Sequence, residues 1–242
     1  MSDWILLPVY NEAATLGPLL DQIYSQGYRA LVVDDGSSDD SAQIAARRGC
    51  RVLRLGTNQG KGAALKRGFE FLRTQPSWDV VVLMDSDGQH DPREIGKFFR
   101  AHRRTDADVV VGTRMQAKQD MPWIRYVTNR VTSRCVSALA GQRIEDSQCG
   151  FRSLRRHVVL DLQLTCDRFD LESEMLIQAG DKGYKISSVP VRSIYRDQPS
   201  RIRPLADTLR FCKLLARYGS LLPWSHIPRA RKWQPAGAAD PV

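Results

Sequence analysis

The sequence has no apolar run approaching the roughly 20 residues that cross a bilayer. Its apolar stretches, such as residues 80–84 and 109–111, are strand-sized, so the chain is expected to be no integral membrane protein. Cysteine is sparse: Cys50, Cys135, Cys149, Cys166 and Cys212 form no CxxC pair, and no secretion signal precedes them. That pattern predicts a reducing, cytoplasmic setting, with the thiols as small core or surface residues. Glycine signatures of two large nucleotide-binding classes are missing too. There is no GxGxxG, and Gly56-Thr57-Asn58-Gln59-Gly60-Lys61-Gly62 fails the P-loop template. It has three residues where four should separate the first two glycines, and Gly62 stands where Ser or Thr should hold a metal ion. A P-loop kinase and a nicotinamide dehydrogenase are therefore disfavoured. Acid is scarce towards the C-terminus: residues 192–232 carry ten Lys and Arg but only Asp197 and Asp207, against a net charge of +9 for the whole chain. Such a segment suits phosphates, an anionic membrane face or nucleic acid, although no nucleic-acid-binding motif accompanies it. Repeats and low-complexity tracts are absent.

What is present is globular: 42% hydrophobic and 26% charged residues in 242, enough for one large α/β domain or two small ones. The first half alternates. Strands are expected at residues 4–8, 30–33, 51–55, 80–84 and 108–111, and helices at 15–26, 41–48, 62–73 and 92–104, the last with Pro92 near its first position. Alternation at these lengths predicts a mostly parallel sheet covered on both faces. Ligands bind beyond the carboxyl ends of such strands. The polar clusters fall there: Tyr10-Asn11-Glu12, Asp34-Asp35 and Asp85-Ser86-Asp87. Beyond Gly112 a helix is expected at 121–140, with Arg125, Arg130 and Arg134 among apolar residues, a strand near 186–189, and an amphipathic helix at 207–218.

Asp85, Asp87 and Gln89 put hard oxygen donors on one turn, which suits Mg²⁺ or Mn²⁺ shared with a substrate phosphate. Two acids also suit a solvated turn before the Asp91-Pro92 helix start, and His90 by itself suits a hydrogen-bonded turn residue. Gly60-Lys61-Gly62 reads first as a turn opening a helix; Lys61 could add a contact to a diphosphate.

Taken in order, Pro8-Val9-Tyr10-Asn11-Glu12, Val33-Asp34-Asp35-Gly36-Ser37-Ser38-Asp39, Asn58-Gln59-Gly60-Lys61-Gly62 and Asp85-Ser86-Asp87-Gly88-Gln89-His90 resemble the family 2 glycosyltransferases of GT-A fold. The likeness continues through Asp146-Ser147-Gln148-Cys149-Gly150-Phe151 and Gly183-Tyr184-Lys185, and is greatest to the dolichyl- and polyprenyl-phosphate sugar transferases. It implies a single GT-A domain over residues 1–218, with a nucleotide-sugar half at 1–112 and an acceptor half at 113–218. Residues 219–242 read as a disordered basic tail.

The resemblance also implies roles. Pro8, Tyr10, Glu12 and Asp35 would line the nucleoside pocket of a UDP- or GDP-sugar. Asp85, Asp87 and Gln89 would hold the divalent ion, with Lys61 near the diphosphate. Arg196 would be a late arginine on the diphosphate, with Ser200 and Arg201 beside it. Arg114, Arg125 and Asn129 would grip an acceptor phosphate, and Asp146 would be the acceptor-side acid. Asp87, Asp146 and Arg196 are thus the expected catalytic groups. Gln198-Pro199-Ser200-Arg201 departs from the family's Gly-x-Ser-Lys, and where many relatives carry C-terminal membrane helices only the 207–218 segment stands here. The reaction expected is inverting transfer of a sugar to a polyprenyl phosphate, by an enzyme docking on the inner membrane face. A hydroxyl acceptor, with Asp146 as base, and a non-catalytic sugar-nucleotide-binding subunit are the alternatives.

Overall fold

The computed structural model describes residues 3–115, 123–192 and 204–219. Arg196, Ser200, Arg201 and nearly all of the expected tail lie outside them, as does the side chain of Arg125. Seven strands form one sheet in the order β3-β2-β1-β4-β6-β5-β7. They are β1 (Trp4–Val9), β2 (Arg29–Asp34), β3 (Arg51–Arg54), β4 (Val80–Leu83), β5 (Val109–Thr113), β6 (Arg152–Arg155) and β7 (Ile186–Pro190). Among the described residues eight helices accompany them: α1 (Ala13–Ser25), α2 (Ser41–Arg47), α3 (Lys61–Thr74), α4 (Ile95–Thr105), α5 (Trp123–Ala140), α6 (Arg156–Asp161), α7 (Asp170–Asp181) and α8 (Pro204–Gly219). Pro92–Glu94 forms a short 3-10 turn before α4, with the Asp91 carboxylate accepting from the Arg93 N–H at 3.0 Å.

Central strands are apolar on both faces because both are covered. Ile5, Leu6 and Leu7 of β1 and Val81 and Val82 of β4 are fully buried. The helices pack in two groups: α1 against α2 and the turn before α4, and α3 against α6 and α7, with α7 also meeting α5 and α8. Close approach is bought with glycine at two points: a Cβ at Gly68 of α3 would run into Leu6, and one at Gly180 of α7 into the Ala140 backbone. No cysteine is paired. Cys149 lies in the core, where burial pushes its thiol up to about 12.

The one strand absent from the sequence expectation is β6. It runs antiparallel between β4 and β5, with Arg152 opposite both Leu83 and Val111. This reversal matters for the site. The other six strands all point their carboxyl ends to one rim, and an antiparallel strand enters from that rim. Residues 146–151, which lead into β6, are thereby delivered beside the ends of β4 and β5. The entry is held by Arg152, whose fully buried guanidinium donates to the carbonyls of Cys149 (2.6 Å), Glu172 (2.7 Å) and Ser147 (3.2 Å). A buried arginine is tolerable only when so satisfied.

Candidate active site

The rim is built from four loop clusters. After β1, Asn11 takes φ +52°, a left-handed conformation that Asn tolerates better than most residues. Its N–H donates to Ser37 Oγ at 2.9 Å and its Oδ1 accepts from the Ser38 N–H at 2.8 Å, tying the β1 loop to the β2 loop. Glu12 is buried; its N–H donates to Ser41 Oγ at 2.8 Å and its carboxylate accepts from Thr15 Oγ1 at 3.0 Å. Ser86 Oγ donates to the Pro8 carbonyl at 2.9 Å, joining the β1 and β4 ends. Pro8 and Tyr10 are partly exposed on this rim.

Asp35 faces inward. Its two oxygens accept the Gln59 N–H at 2.7 Å and the Gly60 N–H at 2.8 Å. Burial outweighs these amides and raises its carboxyl above the usual range. Asp35 therefore anchors the loop that opens α3. That loop needs glycine: Gly60 has φ +107°, and a Cβ there would strike Arg168 and the Asp167 carbonyl.

Lys61, the first residue of α3, sends its ammonium between two carboxylates. It pairs with Asp85 and, at 2.6 Å, with Glu172 Oε1 of α7. Burial works against the ammonium, but Asp85 and Glu172 more than offset it, and its pKa is raised. Asp85 is likewise held well below the carboxylate range: Lys61 and then His90 overcome its burial. Its neighbour goes the other way. Burial and the charge of Asp85 both raise the Asp87 carboxyl, whose Oδ1 accepts the Gln89 N–H at 2.9 Å. His90 lies under this turn, 4% exposed and tilted on Phe151 at 5.0 Å between centroids. Its Nε2 is 3.5 Å from Asp85 Oδ2 and its Nδ1 has no hydrogen-bond partner. Gly150 closes the cluster, since a Cβ there would meet both the Asp85 carboxylate and the Lys61 amine.

The fourth cluster lies at the end of β5. Arg114 grips Asp146 with two side-chain bonds, Nε to Oδ2 at 2.8 Å and Nη2 to Oδ1 at 2.9 Å, and adds its backbone N–H at 3.1 Å. Asn129 of α5 donates to Oδ1 at 2.7 Å, and Ser133 Oγ in turn donates to Asn129 Oδ1 at 3.0 Å. The Asp146 side chain is fully buried. Burial alone would raise its carboxyl, but Arg114 and Asn129 hold it below the usual range.

Asp85, Asp87 and Lys61 are thus brought together, as are Arg114, Asn129 and Asp146. Two contributors escaped sequence reading. Glu172 is 111 residues from Lys61, and nothing in the sequence sets it apart from its neighbours Asp167, Asp170 and Glu174. Gly150 carried no signal beyond its place in a motif. A divalent ion suits the β4 turn: Asp85 and Asp87 offer oxygen donors, and their mutual repulsion is the kind a cation relieves. Among the described residues no group of three or more His, Cys, Asp or Glu is arranged to hold a metal. An ion here would therefore leave coordination positions to water or diphosphate oxygens.

The family model described as "Glycosyl transferase family 2" matches residues 4–162. The chain belongs to family 2. Glycosyltransferase AglJ of Haloferax volcanii is 30% identical over 85% of this chain and 67% of its own length. The UDP-N-acetylglucosamine–dolichyl-phosphate N-acetylglucosaminyltransferase of Methanococcus voltae is 27% identical over 80% of this chain and 86% of its own. An undecaprenyl-phosphate 4-deoxy-4-formamido-L-arabinose transferase of Aeromonas hydrophila is 33% identical over 67% of this chain; the match spans about half, 51%, of that longer relative. Among solved structures, glucosyl-3-phosphoglycerate synthase of Mycobacterium tuberculosis in complex with UDP superposes with a TM-score of 0.69, covering 90% of this chain and 80% of that one at 22% identity. It shares the fold, and the family 2 chain is a glycosyltransferase of α/β, GT-A architecture.

Proposed function

We propose that this family 2 enzyme moves a sugar, with inversion, from a UDP- or GDP-sugar to a polyprenyl phosphate. The observation that carries the acceptor class is the state of Asp146. A hydroxyl acceptor needs a general base with a pKa near the working pH. Asp146 is fully buried, has both oxygens bonded to Arg114 and is held below the usual carboxylate range. It is built to orient a guanidinium, not to take a proton. A phosphate monoester, with a second pKa near about 6, is largely ionised at neutral pH and needs cations to position it. Arg114, oriented by Asp146, which Asn129 holds in turn, supplies one, and Arg125 on the same helix as Asn129 is the second candidate. The names of the M. voltae and A. hydrophila relatives, which specify dolichyl and undecaprenyl phosphate, support the same class.

On the donor side, residues 1–112 form the nucleotide-sugar half. Pro8, Tyr10 and Glu12 line the rim for the nucleoside, and Asp35 acts by holding the 59–60 backbone in place. Asp85 and Asp87, with Gln89, would hold Mg²⁺ or Mn²⁺, which when bound supplies Lewis-acid stabilisation of the departing diphosphate. Crystals of the M. tuberculosis synthase contain Mn²⁺ with UDP-glucose, in line with this choice. Lys61 keeps Asp85 ionised and can turn its charge to the diphosphate. Arg196, with Ser200 and Arg201, is assigned to the same group. Residues 113–218 form the acceptor half, and the enzyme is proposed to work at the inner membrane face.

The test is a screen of UDP- and GDP-sugars against polyprenyl phosphate and saccharide acceptors, with Mg²⁺ or Mn²⁺. A sugar phosphodiester is the expected product. Transfer to saccharide hydroxyls alone would overturn the assignment.

A further inference from the structure

Helix α5 is built the wrong way round for a helix that faces water. Its inner face carries the polar cluster: Asn129 and Ser133 are buried, with Val136 and Ala140 continuing the line. In its first three turns the outer face carries apolar residues beside the exposed Thr128, Arg130 and Arg134. Trp123 is 74% exposed, Ile124 77%, Val127 38% and Val131 52%. Trp123, Val127 and Val131 follow one another at four-residue steps with Ile124 beside them, so they form one stripe. At about 100° per residue it lies opposite Asn129. A surface helix ordinarily shows the reverse pattern, and a contiguous exposed apolar stripe marks an interaction surface.

The charges say with what. Arg130 and Arg134 are exposed along one edge of the stripe, and α5 contains no Asp or Glu at all. Tyr126 adds an aromatic near the same end, stacked against Trp123 at 6.2 Å and receiving a hydrogen bond from Arg130 at 3.2 Å. Aliphatic residues, a tryptophan and arginines without acids make the composition of a helix lying in an anionic lipid interface. A second copy of the chain would bring a like cationic face against this one, in a protein of net charge +9. Helix α8 also bears an apolar stripe, of which Leu209 is exposed, but it is largely committed elsewhere. Leu214 is buried, Phe211 packs on the core, and Tyr218 bonds to Gln178 and Glu174 of α7 at 2.8 and 3.1 Å.

We propose that the outer face of α5 is the surface through which the protein docks on an anionic lipid bilayer. This deepens the acceptor reading and rests on it only for its purpose. The helix that would lie on the lipid carries Asn129 of the acceptor cluster on its inner face. The bilayer surface would then lie about one helix diameter, ~10 Å, from Arg114 and Asp146, and a lipid phosphate would rise from it past the helix to reach Arg114.

The test is co-sedimentation of the full chain with phosphatidylcholine vesicles, with and without phosphatidylglycerol, at low and high salt. Wild type is expected to bind the anionic vesicles, less so at high salt. Ile124→Ser/Val131→Ser should lower the partition coefficient about tenfold or more. Arg130→Gln/Arg134→Gln should lower it roughly fivefold per charge on anionic vesicles only. Both variants change exposed side chains, and an unshifted thermal melt checks their folding. Wild type that ignores anionic vesicles, or variants that bind them like wild type, would overturn the proposal. So would a wild-type dimer that the Ile124/Val131 variant converts to monomer, since a second copy would then own the face. Transfer to detergent-solubilised polyprenyl phosphate should survive in both variants. Anionic-vesicle binding by wild type that the variants lose, together with no transfer to polyprenyl phosphate by wild type, would uphold the docking surface and overturn the acceptor class alone.

Discussion

Replacing Arg114 with alanine strips Asp146 of two charge-assisted hydrogen bonds and leaves a carboxylate inside the protein without its counter-charge. Breaking a buried ion pair from one side costs about 3–5 kcal/mol. Two contacts survive, the Asn129 amide at 2.7 Å and the residue-114 backbone N–H at 3.1 Å. The lower end, ~3 kcal/mol, is therefore expected, a large part of the ~5–15 kcal/mol that holds a typical domain folded. Urea unfolding at several pH values is the assay. In the wild type the folded pKa of Asp146 is depressed. Its contribution is thus fully present above the unfolded value of about 3.9 and lost as pH falls through the lower folded pKa. In the variant the Arg114 contribution is lost, so burial should carry the carboxyl upward against the remaining Asn129 and backbone bonds. The destabilisation should be greatest at neutral pH and shrink as the medium becomes acid enough to protonate Asp146 in the variant. A penalty below ~1 kcal/mol, or one that does not change with pH, would refute the claim that Asp146 is a buried anion dedicated to Arg114.

Other expectations concern activity. Asp146→Asn should lower turnover without abolishing the acidic limb of the pH–rate profile; disappearance of that limb would restore Asp146 as a general base. Asp87→Asn should lower turnover by on the order of 10²-fold or more with an unchanged thermal melt, and full activity of that variant in EDTA would remove the metal role. Asp35→Ala frees the Gln59 and Gly60 amides, so calorimetry should show weaker nucleotide binding; equal affinity would take Asp35 out of the site. Glu172→Gln removes the second negative charge beside Lys61. It should shift the Mn²⁺ affinity measured by electron paramagnetic resonance, because the ammonium then bears on Asp85 alone; an unchanged affinity would mean that Lys61 and the metal do not share that carboxylate.

The first half of the fold was legible because strands buried on both faces cannot hide. Ile5-Leu6-Leu7, Leu31-Val32-Val33 and Val80-Val81-Val82 are continuous apolar runs, each ending in a polar turn. β6 was illegible for the opposite reason. Arg152-Ser153-Leu154-Arg155 reads as a surface segment, and Arg152 is buried only because folding gathers three carbonyls around it. The same limit applies in the site. Acids at strand ends were visible in order along the chain, but not what they face: Asp35 turns to the 59–60 backbone, and Asp146 to Arg114 and Asn129. Lys61 was visible as the end of a glycine turn, while its partner Glu172 lies on a helix far along the chain. Amphipathicity was legible on α8, but which helix leaves its stripe in solvent depends on packing against α7, which only the folded chain supplies.

The most direct test of the central claim compares polyprenyl phosphate with the matching polyprenol as acceptors. Wild-type protein, a labelled UDP- or GDP-sugar and Mn²⁺ would be used, with mass spectrometry of the extracted lipid. A phosphate acceptor positioned by Arg114 predicts a polyprenyl-phosphate sugar and no glycosylated polyprenol. Sugar on the alcohol, with none on the phosphate, would contradict it.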